Sequence, residues 1–228
     1  MTHYTTLPFK NRITLANMLI PLILALAALT VSCPTNPPTT STSKGFYLSV
    51  KLTNPANDLP IPVTNTYLAS IRVGAGLALV GSTPDTSTAR TFYVDGTDQQ
   101  DSSNWTTLSD GATPPVPFGL SLVPDPLNKY VRTAHLDAGN GHAGIYVADG
   151  PELAPLNWMA CDEPLEYYQG RHFNIFKQRY YAEVPVPDEC VEVKLLPECT
   201  ELEELPEVSI ASHEYAREIQ CYKGARTQ

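Results

Sequence analysis

The sequence predicts a mainly β protein, an antiparallel β-sandwich or barrel of short strands with a small C-terminal helix. Three observations carry this expectation. Hydrophobic residues make up 43% of the 228-residue chain, enough for a core. Its 21 prolines break ladders and helices and favour short elements. Apolar residues alternate with polar ones in short runs bounded by Gly, Pro, Asn and Asp. A β-trefoil is the alternative arrangement, although no threefold repeat is visible.

Residues 46–52 (FYLSVKL) place Phe46, Leu48, Val50 and Leu52 on one face, the period of a half-buried strand. Residues 67–73 (YLASIRV) and 77–80 (LALV) form a strand pair around Gly74-Ala75-Gly76. Residues 91–94 (TFYV) end at the turn dipeptide Asp95-Gly96. The polar, proline-bearing stretch 98–117 is expected to be a loop, followed by a strand at 118–123 (FGLSLV). Residues 131–136 (VRTAHL) and 144–147 (GIYV) flank the glycine-rich stretch 137–141 (DAGNG) and are expected to form a hairpin. Further short strands fall at 157–161, 172–176 and 190–195, and residues 210–220 (IASHEYAREIQ) carry the expected helix.

The first residues are expected to be an export signal, 1–32. A weakly basic segment with Lys10 and Arg12 precedes the apolar run 18–29 (MLIPLILALAAL), too short to span a bilayer as a helix. No stable membrane span is expected after cleavage. The Pro/Thr/Ser-rich stretch 33–45 is then a linker, 46–200 the folded β-rich domain, and 201–228 an acidic extension. Without the signal, 13 basic and 24 acidic residues remain, a net charge of −11. Such a chain repels nucleic acid and anionic membranes, so neither is an expected partner.

Export makes the cysteines candidates for pairing. Cys161, Cys190, Cys199 and Cys221 lie in the C-terminal third, and four cysteines allow three connectivities. The preferred set is a local Cys190–Cys199 bridge with a long Cys161–Cys221 bridge. No C-x-x-C pair suggests zinc. Asn104-Trp105-Thr106 fits the N-glycosylation pattern.

Order and wording of several short pieces carry a resemblance: Phe46-Tyr47-Leu48, Phe92-Tyr93-Val94-Asp95-Gly96-Thr97, Pro117-Phe118-Gly119-Leu120, residues 139–144, Trp158-Met159-Ala160-Cys161, and Pro187-Asp188-Glu189-Cys190 onward to Leu195. Together they resemble a family of uncharacterised fungal secreted proteins, a domain of unknown function, over about residues 46–200. The resemblance implies a fungal, exported β-domain. It implies no activity and no catalytic residues.

No catalytic motif is present: there is no G-x-S-x-G elbow and no H-E-x-x-H pair. Gly74-x-Gly76 lacks the third glycine of a phosphate-binding turn. His135, Asp137 and His142 surround the glycine turn, but solvated histidines explain them more simply than a metal, and no metal or other cofactor is expected. Asp149, Glu152, Asp162, Glu163 and Glu166 bracket Trp158, the minimal composition of a glycosidase site, in a chain with 24 acids where chance pairs abound. Flat side chains at Trp105, Trp158, Tyr167, Tyr168, Tyr180 and Tyr181 are candidates for stacking on sugar rings. The expected function is a non-catalytic secreted β-domain of unknown specific function, with an extracellular glycan or cell-wall component as its candidate ligand; the alternative is a secreted hydrolase acting on polysaccharide.

Overall fold

The computed structural model describes residues 39–224, so the expected signal segment and Cys33 lie outside the described residues. The strands are β1 (Thr40–Ser43), β2 (Gly45–Leu52), β3 (Tyr67–Gly74), β4 (Leu77–Thr83), β5 (Phe92–Asp95), β6 (Thr106–Gly111), β7 (Val116–Pro124), β8 (Val131–Ala138), β9 (Tyr146–Ala148), β10 (Glu152–Ala154), β11 (Trp158–Leu165), β12 (Arg171–Arg179), β13 (Cys190–Thr200) and β14 (Ile219–Tyr222). Twelve of them form one sheet in the order β1-β14-β13-β11-β12-β4-β3-β2-β5-β6-β7-β8, and β9 pairs with β10 separately. The sheet is mixed, because β14 meets β13 in parallel at Glu198↔Tyr222 while the other ladders are antiparallel.

The pairings return on themselves. Strand β2 pairs with both β13 and β5, and β8 pairs with both β7 and β12. A circuit of hydrogen-bonded neighbours therefore runs β2, β13, β11, β12, β8, β7, β6, β5 and back to β2. Its strands carry most of the main core. Phe46, Leu48, Val50 and Leu52 of β2 meet Val191, Val193 and Leu195 of β13, together with Leu120, Leu136, Trp158 and Phe176. The register Leu52↔Val193 and Val50↔Leu195 puts these apolar residues directly opposite one another. Each fully buried side chain of this kind contributes about 1.5–3 kcal/mol.

Several expectations change. The stretch 98–117 is not simply a loop, because it contains β6. Thr107 and Ser109 are buried there, and the Thr107 hydroxyl donates to the Ile145 carbonyl at 2.7 Å, so polar side chains occupy core positions at little cost. Strand β9 pairs with β10 rather than β8, so the expected hairpin across 137–141 does not form. Thr40–Ser43, within the expected linker, pair with β14, and the Ser43 hydroxyl donates to Thr200 O at 2.6 Å.

No helix occupies 210–220. That segment is an extended strap: Ile210 and Ala211 donate to Pro115 O, Arg217 donates to Val94 O, and Ala216 bridges Asp95 before β14 begins. Ala211, Ala216, Ile219 and Cys221 are buried by this extended path, so their apolar spacing never needs a helical turn. The exposed acids Glu201, Glu203, Glu204 and Glu207 lie on the same connection, while Glu198 accepts from the Tyr67 hydroxyl at 3.0 Å.

The disulfides join Cys161 to Cys190 and Cys199 to Cys221, not the preferred Cys190–Cys199 and Cys161–Cys221. Cys190 and Cys199 belong to one extended strand. At about 3.3 Å per residue the two are held roughly 30 Å apart. Cys161 instead faces Cys190 across the β11–β13 ladder, and Cys221 ties β14 to the far end of β13. Replacing both Cys199 and Cys221 with alanine releases the strap between them. We expect a loss of about 2–4 kcal/mol in urea unfolding and new protease cleavage within 201–218; unchanged stability and an uncut strap would contradict the anchoring role.

Candidate functional site

The seam where β8 meets β12 positions the best candidate surface. Three register pairs form it: Thr133↔Lys177, Arg132↔Gln178 and Val131↔Arg179. Alternation sends Thr133 and Lys177 to one side of the seam and Arg132 and Gln178 to the other. Each side borders its own cleft.

On the first side, a cleft of about 530 Å³ is lined by Asp125, Thr133, His135, Asp162, Glu163 and Lys177, among others. The Lys177 ammonium pairs with Asp125 at 2.6 Å and also with Glu163. Asp125 accepts further bonds from the Leu127 and Asn128 amides and from the Thr133 hydroxyl. Burial raises the Asp125 carboxyl, but the bonds from Lys177 and the Leu127 amide outweigh it and hold the group below its ordinary range. Burial lowers Lys177, and its two carboxylate partners more than reverse that, so it titrates above its ordinary value. The arrangement is a charge bridge that fastens the 125–130 turn to β12 and β11.

On the second side, Arg132 donates through Nε and Nη2 to Gln178 Oε1 at 3.0 and 2.7 Å, and its guanidinium lies 4.6 Å from the Tyr180 ring centroid. Tyr180 donates its amide to Tyr130 O, which brings Tyr130 alongside, and Lys129 stands 4.9 Å above the Tyr130 ring. Tyr130, Tyr180 and Tyr181 are 47%, 40% and 62% exposed. The result is an open aromatic cluster with two cations attached. Arg132 also lines a second cleft of about 390 Å³, walled by residues 141–145, Leu122 and Pro155.

Glycine builds that wall. Gly141 has φ +68°, and a Cβ on Gly119 would stand 1.9 Å from the Gly141 nitrogen. The two backbones therefore touch. Gly139 donates to Pro117 O and His142 to Leu120 O, while the Leu122 amide donates to His142 Nδ1 at 3.3 Å.

The expected site residues divide. Tyr180 and Tyr181 join the cluster, 6.4 Å between ring centroids. Tyr167 and Tyr168 sit apart on a 3-10 turn, Tyr167 57% exposed and Tyr168 bonded to Arg72 O. Trp158 is not a stacking platform: it is 0% exposed, packed in the core, with Nε1 donating to Leu153 O. Trp105 is half-buried against Gly96, under the Arg217 guanidinium at 4.1 Å. Asn104 is exposed on the 3-10 turn Ser102–Asn104, its Nδ2 donating to Asp101 at 3.0 Å.

The carboxylates do not gather around Trp158. Glu152 pairs with Lys194, Asp162 with His172 and Glu163 with Lys177, while Asp149 and Glu166 are exposed. His135 lies 3.4 Å from Asp137, which also accepts the Ala78 amide, and His142 is taken up by Leu122. Among the described residues no group of three or more His, Cys, Asp or Glu side chains could hold one metal ion, and no helix is long and apolar enough to cross a membrane. Sequence reasoning missed Arg132, Lys129 and Tyr130. Arg132 left a signal: it shares a strand face with buried Ala134 and Leu136, where a charge is out of place.

Residues 43–199 match the domain of unknown function DUF7907. The chain belongs to the DUF7907 family. That match contains the whole β8–β12 seam and stops at Cys199, before the strap and β14. This DUF7907 chain is also 48% identical over 199 residues to "Antigenic protein SchS34" of Stachybotrys chartarum, covering 82% of this chain and 89% of the relative. It is thus a member of a family of uncharacterised fungal proteins. No solved structure matches.

Two outcomes follow from the seam. Gly119→Ala forces β7 away from Gly141, and we expect a loss of about 1–3 kcal/mol in denaturant unfolding; wild-type stability would show that the wall yields freely. Lys177→Met leaves Asp125 and Glu163 uncompensated and is expected to cost about 2–4 kcal/mol at neutral pH. Asp125, with its lowered value, contributes stability above its ordinary 3.8 and loses it as pH falls through the folded value. Lys177, with its raised value, contributes below its ordinary 10.5 and loses it as pH rises through the folded value. The difference between wild type and variant should therefore shrink at both pH extremes, and a pH-independent difference would contradict the bridge.

Proposed function

We propose that the chain is an exported fungal β-domain that binds an extracellular glycan or cell-wall component without turning it over. One observation carries this reading: the open cluster of Tyr130, Tyr180 and Tyr181 beside Arg132 and Lys129. Tyrosine rings offer an apolar face to the C–H face of a sugar and a hydroxyl to its edge. The seam that supports them is fixed by ladder pairing on both strands, so the rings meet a ligand at small ordering cost.

Export is supported by the apolar run 18–29 and by two disulfides, which persist in oxidising compartments. A relative described as antigenic fits a protein that leaves the cell. The pairing circuit is the arrangement a sandwich or barrel would give, a rigid support for such a surface.

A polysaccharide hydrolase is the second reading, favoured by the cleft that collects Asp125, Asp162 and Glu163. There Lys177 bridges two of the three, the task of a structural clamp. The test incubates the exported protein with insoluble chitin, β-glucan, cellulose and xylan, and measures depletion and released sugar together. We expect depletion without sugar, reduced about tenfold or more by Tyr180→Ala with Tyr181→Ala. Sugar release abolished by Glu163→Gln would instead establish the hydrolase.

A further inference from the structure

Arg132 is a cation without an anion. Among the described residues it makes no ion pair, although acids outnumber bases by 24 to 15 in the chain. Its Nε and Nη2 are committed to Gln178, and Nη1 has no hydrogen-bond partner among the described residues. Gln178 is itself 2% exposed and donates to Leu156 O, so the fork is held from behind by a buried group. Lys129, beside Tyr130, likewise makes no ion pair among the described residues.

The opposite wall carries a second donor. His142 Nδ1 accepts the Leu122 amide, so the neutral imidazole bears its hydrogen on Nε2. The loop that carries the ring is fixed, because the His142 amide is bonded to Leu120 O and the loop rests on the Gly119–Gly141 contact. Arg132 and His142 thus line one cleft of about 390 Å³ from two sides, within the size range of small-ligand sites. Arg132 also reaches the aromatic cluster, since its guanidinium lies over Tyr180.

We propose that this cleft takes the carboxylate of a uronic-acid unit in an extracellular polysaccharide, with Arg132 and His142 as donors and the neighbouring tyrosines stacking on adjoining sugars. The proposal rests on the glycan-binding reading above and narrows it to acidic polymers. A guanidinium fork matches a planar carboxylate, and a charge-assisted bond there is stronger than one to a neutral hydroxyl. An otherwise acidic protein would not gather unpaired cations on one face for a neutral ligand, and its overall charge would reject polyanions that do not fit the site.

The experiment measures binding of the purified exported protein to polygalacturonate, to its fully methyl-esterified form, to free galacturonate and to dextran sulfate. We expect polygalacturonate to bind at least tenfold more tightly than the ester and dextran sulfate, with free galacturonate competing weakly. Arg132→Gln should remove that preference, Arg132→Lys should restore part of it, and His142→Ala should weaken it several-fold. Thermal unfolding of each variant separates loss of the site from loss of the fold, and His142→Ala decides the matter if Arg132→Gln fails to fold. Equal binding of polymer and ester overturns the uronate assignment and leaves the glycan reading standing. Equal binding of dextran sulfate overturns it as unspecific charge attraction. Binding of none of these, with no retention on neutral polysaccharides, overturns both.

Discussion

Strand β13 is held along both edges and at both ends. Its ladder with β2 runs from Val193↔Leu52 to Thr200↔Gly45, joining parts of the chain nearly 150 residues apart (Ser49 and Leu196 are 147 apart). Its other edge pairs with β11. One disulfide fixes Cys190 to β11 and the other fixes Cys199 to β14. Contacts this distant in sequence are entropically expensive to close. The two covalent links close shorter loops, 29 and 22 residues in sequence separation, and fix β13 to β11 and β14, while the distant β2–β13 pairing is held by its ladder and by the core packed on it.

The proposed binding surface depends on this frame at one remove. Strand β11 carries β12, and β12 carries β8 through three register pairs. Side-chain alternation along that seam separates two chemistries. One side holds a lysine saturated by carboxylates. The other holds an arginine with a free edge, beside exposed tyrosines. Saturated charges hold a structure together, whereas an unsaturated charge on a rigid support is available to a ligand. That contrast, rather than the number of acids in either cleft, separates the structural clamp from the proposed binding feature.

Much of the strand framework was legible. The alternation of Phe46, Leu48, Val50 and Leu52 survives as the core face of β2, and the Gly74-Ala75-Gly76 turn does join β3 to β4. What failed did so for physical reasons. Strand β6 hides its buried positions behind Thr107 and Ser109, whose hydroxyls read as loop. Trp158 stands on a strand buried on both faces, where Met159 and Cys161 pack into a second cluster, so no alternation revealed where it points. The 210–220 strap takes its order from backbone partners far away in sequence. The site was half legible: tyrosines 180 and 181 stood out as a pair, but Tyr130 joins them through a backbone bond that no local pattern announces.

The family match contains the seam and ends at Cys199, before the strap and β14. The most direct test of the account is to map, by amide NMR, where an oligogalacturonate touches the purified protein. The account predicts shifts concentrated at residues 129–132, 141–145 and 178–181. Shifts concentrated instead around Asp162, Glu163 and Lys177, with the tyrosine cluster undisturbed, would contradict it and return attention to the acidic cleft.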